Sequence, residues 1–194
     1  MNAAVAPEVV EVAERALARA AKHGWSATDL TGIVDELRSL EVDAHAFLSL
    51  LGLPAPDGWP ALEIGQGSRA HATLFALRRG QSMPLHDHPS MTVICKVLFG
   101  AIRIRTLVWT DRATSTAHDL GERVLGASDE PLLVEPEPGT LHAIEAIEDC
   151  AFLDLFSPYY DDDRECSYFV IAPGEASGSL VSLRPVDSAQ ATKG

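Results

Sequence analysis

No apolar run in this chain approaches the ~20 residues that a membrane-spanning helix requires, and the first residues, Met1 to Pro7, lack the basic stretch and long apolar core of a secretory leader. These two absences give the expectation of a cytoplasmic protein with no membrane partner. Basic residues are scarce: 15 Lys and Arg face 28 Asp and Glu, a formal net charge of −13. No basic stripe offsets that charge locally, so phosphate backbones would be repelled and nucleic acid is not an expected partner. Cysteine is nearly missing too. Cys95, Cys150 and Cys166 are an odd number without C-x-x-C spacing, which argues against a disulfide framework and against a zinc knuckle, and leaves reduced thiols. No internal repeat is visible.

What is present is ordinary globular material. In 194 residues, 46% are hydrophobic and 22% charged, enough to bury one core and far from the profile of disordered chains. From Pro7 to His23 apolar residues recur at helical spacing up to Gly24, which predicts a first helix. A second starts after Ser26 or Thr28, with Asp29 in its first turn and Leu30, Ile33, Val34, Leu37 and Leu40 on one face. It should break near Glu41 to Asp43 and resume to about Leu51. Gly52 to Pro60, with three prolines and two glycines, reads as a turn-rich connection.

After Pro60 the texture becomes short β-type runs divided by Gly, Pro and Asp: HATLFALRR, MTVICKVL, AIRIRTLVW, PLLVEP, LHAIEAI, CAFLDLF and CSYFVIA. Such spacing predicts an all-β sandwich or barrel. Alternation of Ile102, Ile104 and Thr106 with Arg103, Arg105 and Leu107 predicts a strand with one wet face. The expected organisation is a helical segment over 1–58 packed on a barrel, a β domain over 59–186 and a polar tail over 187–194, as a monomer or weak homodimer.

Chemistry concentrates in MPLHDHPSMT, where His86 and His88 stand at i and i+2. Alternate residues of an extended chain point to one side, so both imidazoles can face one ion. A lone H-x-H is equally compatible with two surface histidines in a turn. Its surroundings are more telling: Gly80 and Gly100 complete G-x5-H-x-H-x11-G, and Pro136, Pro138 and Gly139 precede His142 as P-x-P-G-x2-H. This resembles the two motifs of the cupin superfamily. The resemblance implies a mainly β fold, the small cupin barrel or double-stranded β-helix, that gathers ligands from both motifs onto one metal. Where many cupins place a glutamate ligand, this chain has Thr92 and Val93. The donor set is then three neutral imidazoles, which leave a dication's charge uncompensated and favour an anionic thiolate. Zinc also accepts three histidines with an open position.

A narrower resemblance follows. The stretch LRRGQSMPLHDHPSMTVICKVLFGAIRIRTLVW is similar to the core of the cysteamine dioxygenase and plant cysteine oxidase family of thiol dioxygenases, and PGTLHAIEAIEDCAFLDLFSPYYDDDRECSYF to its second half. With IVDELRSLEV, the likeness runs from about Asp29 to Phe169. It implies iron(II) on His86, His88 and His142, and oxidation of a small aminothiol, or of an N-terminal cysteine of a peptide, by O2 to the sulfinic acid. Asp154 matches an acidic residue of the family's active-site surroundings and Tyr160 its nearby tyrosine. Cys166 and Tyr168 match a pair that is joined by a thioether in the family's animal branch; a buried free cysteine is the other reading. On the residues alone, Asp154 shares a strand face with Phe152 and Phe156, so either a ligand histidine's free N–H is its partner or it faces water on an edge strand.

The remaining candidates read as structural. Cys95 belongs to the core and His23 favours a helix dipole, while His45 and His118 fall in a helix and a loop. His71 either lines the barrel or lies near the surface, Arg78 and Arg79 either reach inward to a substrate carboxylate or end a strand in solvent, and Lys96 matches a family lysine of underived role. Two rival functions stay open on the same ligands: a cupin isomerase or hydrolase using another metal, and a non-catalytic ligand-sensing cupin.

Overall fold

The computed structural model describes residues 6–20, 24–40, 42–43, 47, 51, 59–67, 69–159, 165–172 and 179–187. Two helices come first, α1 (Pro7–Arg19) and α2 (Ala27–Arg38). A proline opens α1, where a missing N–H is harmless, and Val9, Val12, Ala13, Ala16 and Leu17 form its buried stripe. The helix stops at Arg19, short of the expected His23. The Trp25 indole N–H donates to the Ala16 carbonyl at 2.9 Å, taking up a last-turn acceptor, and the chain turns at Gly24 with φ +79. Ser26 caps α2: its hydroxyl accepts from the Asp29 N–H at 3.2 Å while the Asp29 carboxylate accepts from the Ser26 N–H at 2.9 Å. Phe47, fully buried, and Leu51 are described beyond α2; the rest of that expected helix and most of the Gly52–Pro60 connection lie outside the described residues.

Eleven strands follow among the described residues: β1 (Ala61–Gln66), β2 (His71–Leu77), β3 (Ser82–Asp87), β4 (Thr92–Phe99), β5 (Ala101–Asp111), β6 (Thr116–Gly126), β7 (Leu132–Val134), β8 (Thr140–Ala146), β9 (Cys150–Ser157), β10 (Tyr168–Ile171) and β11 (Leu180–Val186). They form a five-stranded sheet in the order β1-β2-β9-β4-β7 and a closed ring β10-β11-β6-β5-β8-β3. The fold is mainly β, with the helices against one sheet. Three apolar clusters glue the layers. Ile94, Leu98, Leu153 and Leu155 meet α1 and α2 on the outer face of the first sheet. Val93, Val97, Phe152, Phe156, Ile102, Ile104 and Ile144 fill the space between the two sheets. Leu85, Leu107, Trp109, Leu141, Phe169 and Leu183 fill the closed ring.

Three strands carried no clear sequence signal. β1 is a half-exposed edge, β6 is polar along most of its length, and β11 is half exposed and carries Pro185. The alternation in β5 is present, but its outer face is wet only at Arg103 and Arg105, because β10 and β11 cover Leu107 and Trp109. A β-bulge in the β5–β6 pairing between Arg105 and Leu107 sits opposite Gly121, whose φ is +86.

Gly100 makes the tight β4–β5 turn. At φ +68 a side chain is strained, and a Cβ there would overlap the Asp149 carbonyl and press on Cys150 Cβ at 2.9 Å. Gly80, at φ +84, has open space around it. Replacing Gly80 by Ala should therefore cost roughly 1–2 kcal/mol, the left-handed strain alone, and Gly100→Ala about 3 kcal/mol or more. Equilibrium denaturation of the two variants measures the difference; equal losses would remove the crowding argument.

Candidate metal centre

β3 carries His86, and His88 follows at its end. Pairing with β8 slips by one residue between Met83 and His86, a β-bulge at Pro84 and Leu85. Met83 faces the space between the sheets, Leu85 faces the other way into the closed ring, and the extra residue returns His86 to the inner side, opposite His142 of β8. Without the bulge, strict alternation from Met83 would put Leu85 where the imidazole is needed.

The three rings converge. Centroids lie 4.9 Å apart for His86 and His88, 4.5 Å for His86 and His142, and 4.8 Å for His88 and His142. One ring nitrogen from each comes within 4.8 Å of the others, and the Nε2 atoms of His88 and His142 are 3.2 Å apart. The His86 Nδ1 meets the Pro84 carbonyl at 2.8 Å, which assigns its proton to Nδ1 and leaves Nε2 as the donor atom. All three are buried, at 9%, 3% and 1% exposure. Burial pushes all three imidazoles below their ordinary pKa, His88 and His142 well below it, with the neighbouring imidazoles adding to the effect at both. Neutral rings with lone pairs aimed at one point are what a divalent cation requires. Among the described residues no Asp, Glu or Cys joins the group. Val93 is buried between the sheets and Thr92 pairs with Ser157, so the usual carboxylate position contributes no ligand.

Beside the rings is a cavity of about 180 Å³ lined by Trp59, Phe75, Met83, His86, His88, Asp154, Phe156, Cys166 and Tyr168. Cys166 and Tyr168 share this wall, with the Tyr168 ring 6.1 Å from that of His86. Tyr160 lies outside the described residues. Asp154 sits on β9 between Phe152 and Phe156, all facing inward, and is 4% exposed, so it is not at a wet edge. The expected bond from a ligand histidine to Asp154 is not formed by His142: among the described residues, the His142 Nδ1 and one Asp154 oxygen, Oδ1, are both buried without a hydrogen-bond partner. The neighbour that bonds Asp154 is Cys95, directly across on β4. A wider groove of about 480 Å³ runs along the outside past Arg103, Arg105, Glu122 and Glu145, but none of the three imidazoles lines it. Its guanidiniums are paired with Glu122, Glu145 and Asp119.

The other candidates are placed plainly. His71 is half-buried on β2, with Nε2 3.4 Å from Glu63. His118 lies on strand β6 rather than in a loop and meets the Ser179 carbonyl. Arg78 and Arg79 are exposed at the turn before β3. Lys96 is buried and donates to the carbonyls of Ala127 and Asp129 at 2.6 and 2.7 Å, tying β4 to the turn after β6. His23 and His45 are not among the described residues.

Imidazoles gathered from two strands inside a double-stranded β-helix define a cupin with an all-histidine metal-binding group. The PCO_ADO family matches residues 61–189, and the chain belongs to that family. It is 34% identical over 121 residues to the probable 2-aminoethanethiol dioxygenase of Dictyostelium discoideum, covering 58% of this chain and 55% of that protein. It is 27% identical over 156 residues to plant cysteine oxidase 2 of Arabidopsis thaliana, covering 74% of this chain and 56% of that protein. The chain thus spans about half the length of the curated relatives it matches. Among solved structures, KdgF from Halomonas sp. is similar at a TM-score of 0.44 and 22% identity, over 57% of this chain and 90% of that one.

Burial raises the Asp154 carboxyl to about 7, against an ordinary 3.8, with the Cys95 hydrogen bond opposing the rise. The folded metal-free protein then holds a proton that the unfolded chain releases near pH 4. Its contribution is fully present below that value and is lost as pH rises through 7, a change of roughly 3–5 kcal/mol. Between pH 4 and 8, metal-free wild type should lose that much stability relative to Asp154→Asn, read from denaturant midpoints at each pH; parallel curves would show the carboxyl to be ionised throughout.

Proposed function

We propose that the chain is a non-haem iron(II) thiol dioxygenase that converts a small aminothiol such as cysteamine, or an N-terminal cysteine, to its sulfinic acid. The observation that carries the reading is the all-histidine group beside a small apolar cavity containing one carboxyl. On ligand type alone the donor set is equally open to other dications; the dioxygenase and cysteine oxidase names of the relatives direct the choice to iron. Iron(II) bound on His86, His88 and His142 would supply a cation that favours the thiolate and a place for dioxygen, with both oxygen atoms ending on sulfur.

The chain's own residues do the rest. Three neutral imidazoles contribute no negative charge, so an anionic sulfur is not repelled. Trp59, Phe75, Met83 and Phe156 keep bulk water from the reacting sulfur. No Lys or Arg lines the cavity among the described residues, so a substrate carboxylate would enter without a partner. The unpartnered oxygen of Asp154 is available to accept from a substrate ammonium. Tyr168, and Tyr160 by the family likeness, would donate a hydrogen bond to reacting oxygen. Cys166 would shape the same wall, and a cytoplasmic location fits the reduced cysteines.

Oxygen consumption by iron-loaded protein tests the proposal with cysteamine, cysteine, 3-mercaptopropionate and a Cys-initiated peptide. Uptake is expected with cysteamine or the peptide and at least about tenfold less with 3-mercaptopropionate, which has a carboxylate and no amine. His142→Ala should take up less than a tenth of the wild-type metal and show no turnover. No oxygen uptake with any of the four thiols, with metal bound, would favour an isomerase, hydrolase or sensor.

A further inference from the structure

Asp87 stands between two of the three histidines and takes no part in the site as described so far. Neighbouring residues of an extended strand point to opposite sides, so its carboxylate faces away from the imidazoles, across from Leu141 at the end of the closed ring. It is 3% exposed, which for a carboxylate is costly without partners. It has three bonds. Oδ1 accepts from the Ser167 N–H at 3.1 Å, Oδ2 accepts from Arg112 Nη1 at 3.0 Å, and its own backbone N–H donates to the Ser167 carbonyl at 3.1 Å. Ser167 is thus gripped at both backbone groups by one residue, and it lies between Cys166 and Tyr168, the two side chains of the cavity wall. Beyond this grip, β10 pairs with β3 at the single position Tyr168 opposite His86.

Arg112 extends the connection to the third histidine's strand. Its guanidinium lies 5.0 Å from the centre of the Trp109 ring, and the Trp109 backbone N–H donates to the Gly139 carbonyl at 3.0 Å, on the approach to β8 and His142. Gly139 has φ +88, and a Cβ there would press on Trp109 at 3.3 Å and on Arg112. One buried carboxylate therefore joins the strand of His86 and His88, the wall of Cys166 and Tyr168, and, through Arg112, the turn ahead of His142.

We propose that Asp87 is a positioning residue that fastens the cavity wall bearing Cys166 and Tyr168 to the strand bearing His86 and His88, so that thiol affinity depends on a group that touches neither thiol nor metal. The thiol part of this inference rests on the function proposed above; the fastening itself does not.

The variants are Asp87→Ala, which removes both side-chain bonds, Asp87→Asn, which keeps an acceptor for Ser167, and Arg112→Met at the more exposed end. Amide hydrogen exchange over 165–171 in metal-free protein reads the fastening. Cobalt(II) titration, and the shift of the cobalt spectrum on adding cysteamine, read metal and thiol binding separately. Asp87→Ala should exchange at Ser167 about tenfold faster or more, still take one cobalt, and bind cysteamine about tenfold more weakly or worse. Asp87→Asn should recover part of both effects and Arg112→Met should show smaller changes of the same sign. Wild-type exchange and wild-type cysteamine affinity in Asp87→Ala would overturn the proposal; if that variant does not fold, the same result in Asp87→Asn and Arg112→Met together overturns it. Wild-type protein that takes no cobalt would overturn the metal reading instead, while exchange at Ser167 would still decide the fastening.

Discussion

Everything distinctive in this molecule depends on keeping three imidazoles dry, neutral and convergent without an acid beside them. In water each ring would be partly protonated near neutral pH, and three cations at this spacing would repel one another. Burial between two sheets removes the charge, because the protonated form loses more on desolvation than the neutral one. The same burial leaves the lone pairs without water, so a divalent cation is the partner that satisfies all three at once. The barrel, in this sense, holds nitrogen atoms largely out of bulk solvent.

The devices that achieve this are local and cheap in residues. A one-residue bulge at Pro84 and Leu85 turns His86 inward, and register with β8 sets it opposite His142. Phe152 and Phe156 of β9 face the same interior, and between them Asp154 is the single acid lining the cavity among the described residues. Burial raises that acid's pKa to about 7, with Cys95 as its bonded neighbour. A cavity with one such acid, no Lys or Arg among the described residues and mostly apolar walls selects by what it leaves unpaired as much as by what it binds.

Much of this was legible in the sequence. The spacing G-x5-H-x-H-x11-G followed by P-x-P-G-x2-H identified the three histidines, because alternation and glycine turns leave strong local marks. The start of α2 was visible as Ser26 or Thr28 with Asp29 in the first turn, and the cap is Ser26. The parts that escaped are those whose residues look alike in both states. β6 pairs on both sides yet stays largely exposed, so TAHDLGERVLG shows no alternation, and His118 read as a loop residue. Leu107 read as part of a wet face because its cover, β10 and β11, is sixty and more residues away in the chain. The bonded neighbour of Asp154 was likewise unreadable: Cys95 is fifty-nine positions earlier, and only the β4–β9 register brings the two together.

The most direct test of the account is X-ray absorption at the iron edge of protein loaded anaerobically with one iron per chain. Three imidazole scatterers from the protein, with the remaining positions filled by water or added thiol, are predicted, together with loss of one imidazole in His142→Ala. A protein carboxylate in the coordination sphere, or only two imidazoles in the wild type, would contradict the all-histidine site on which the proposed chemistry stands.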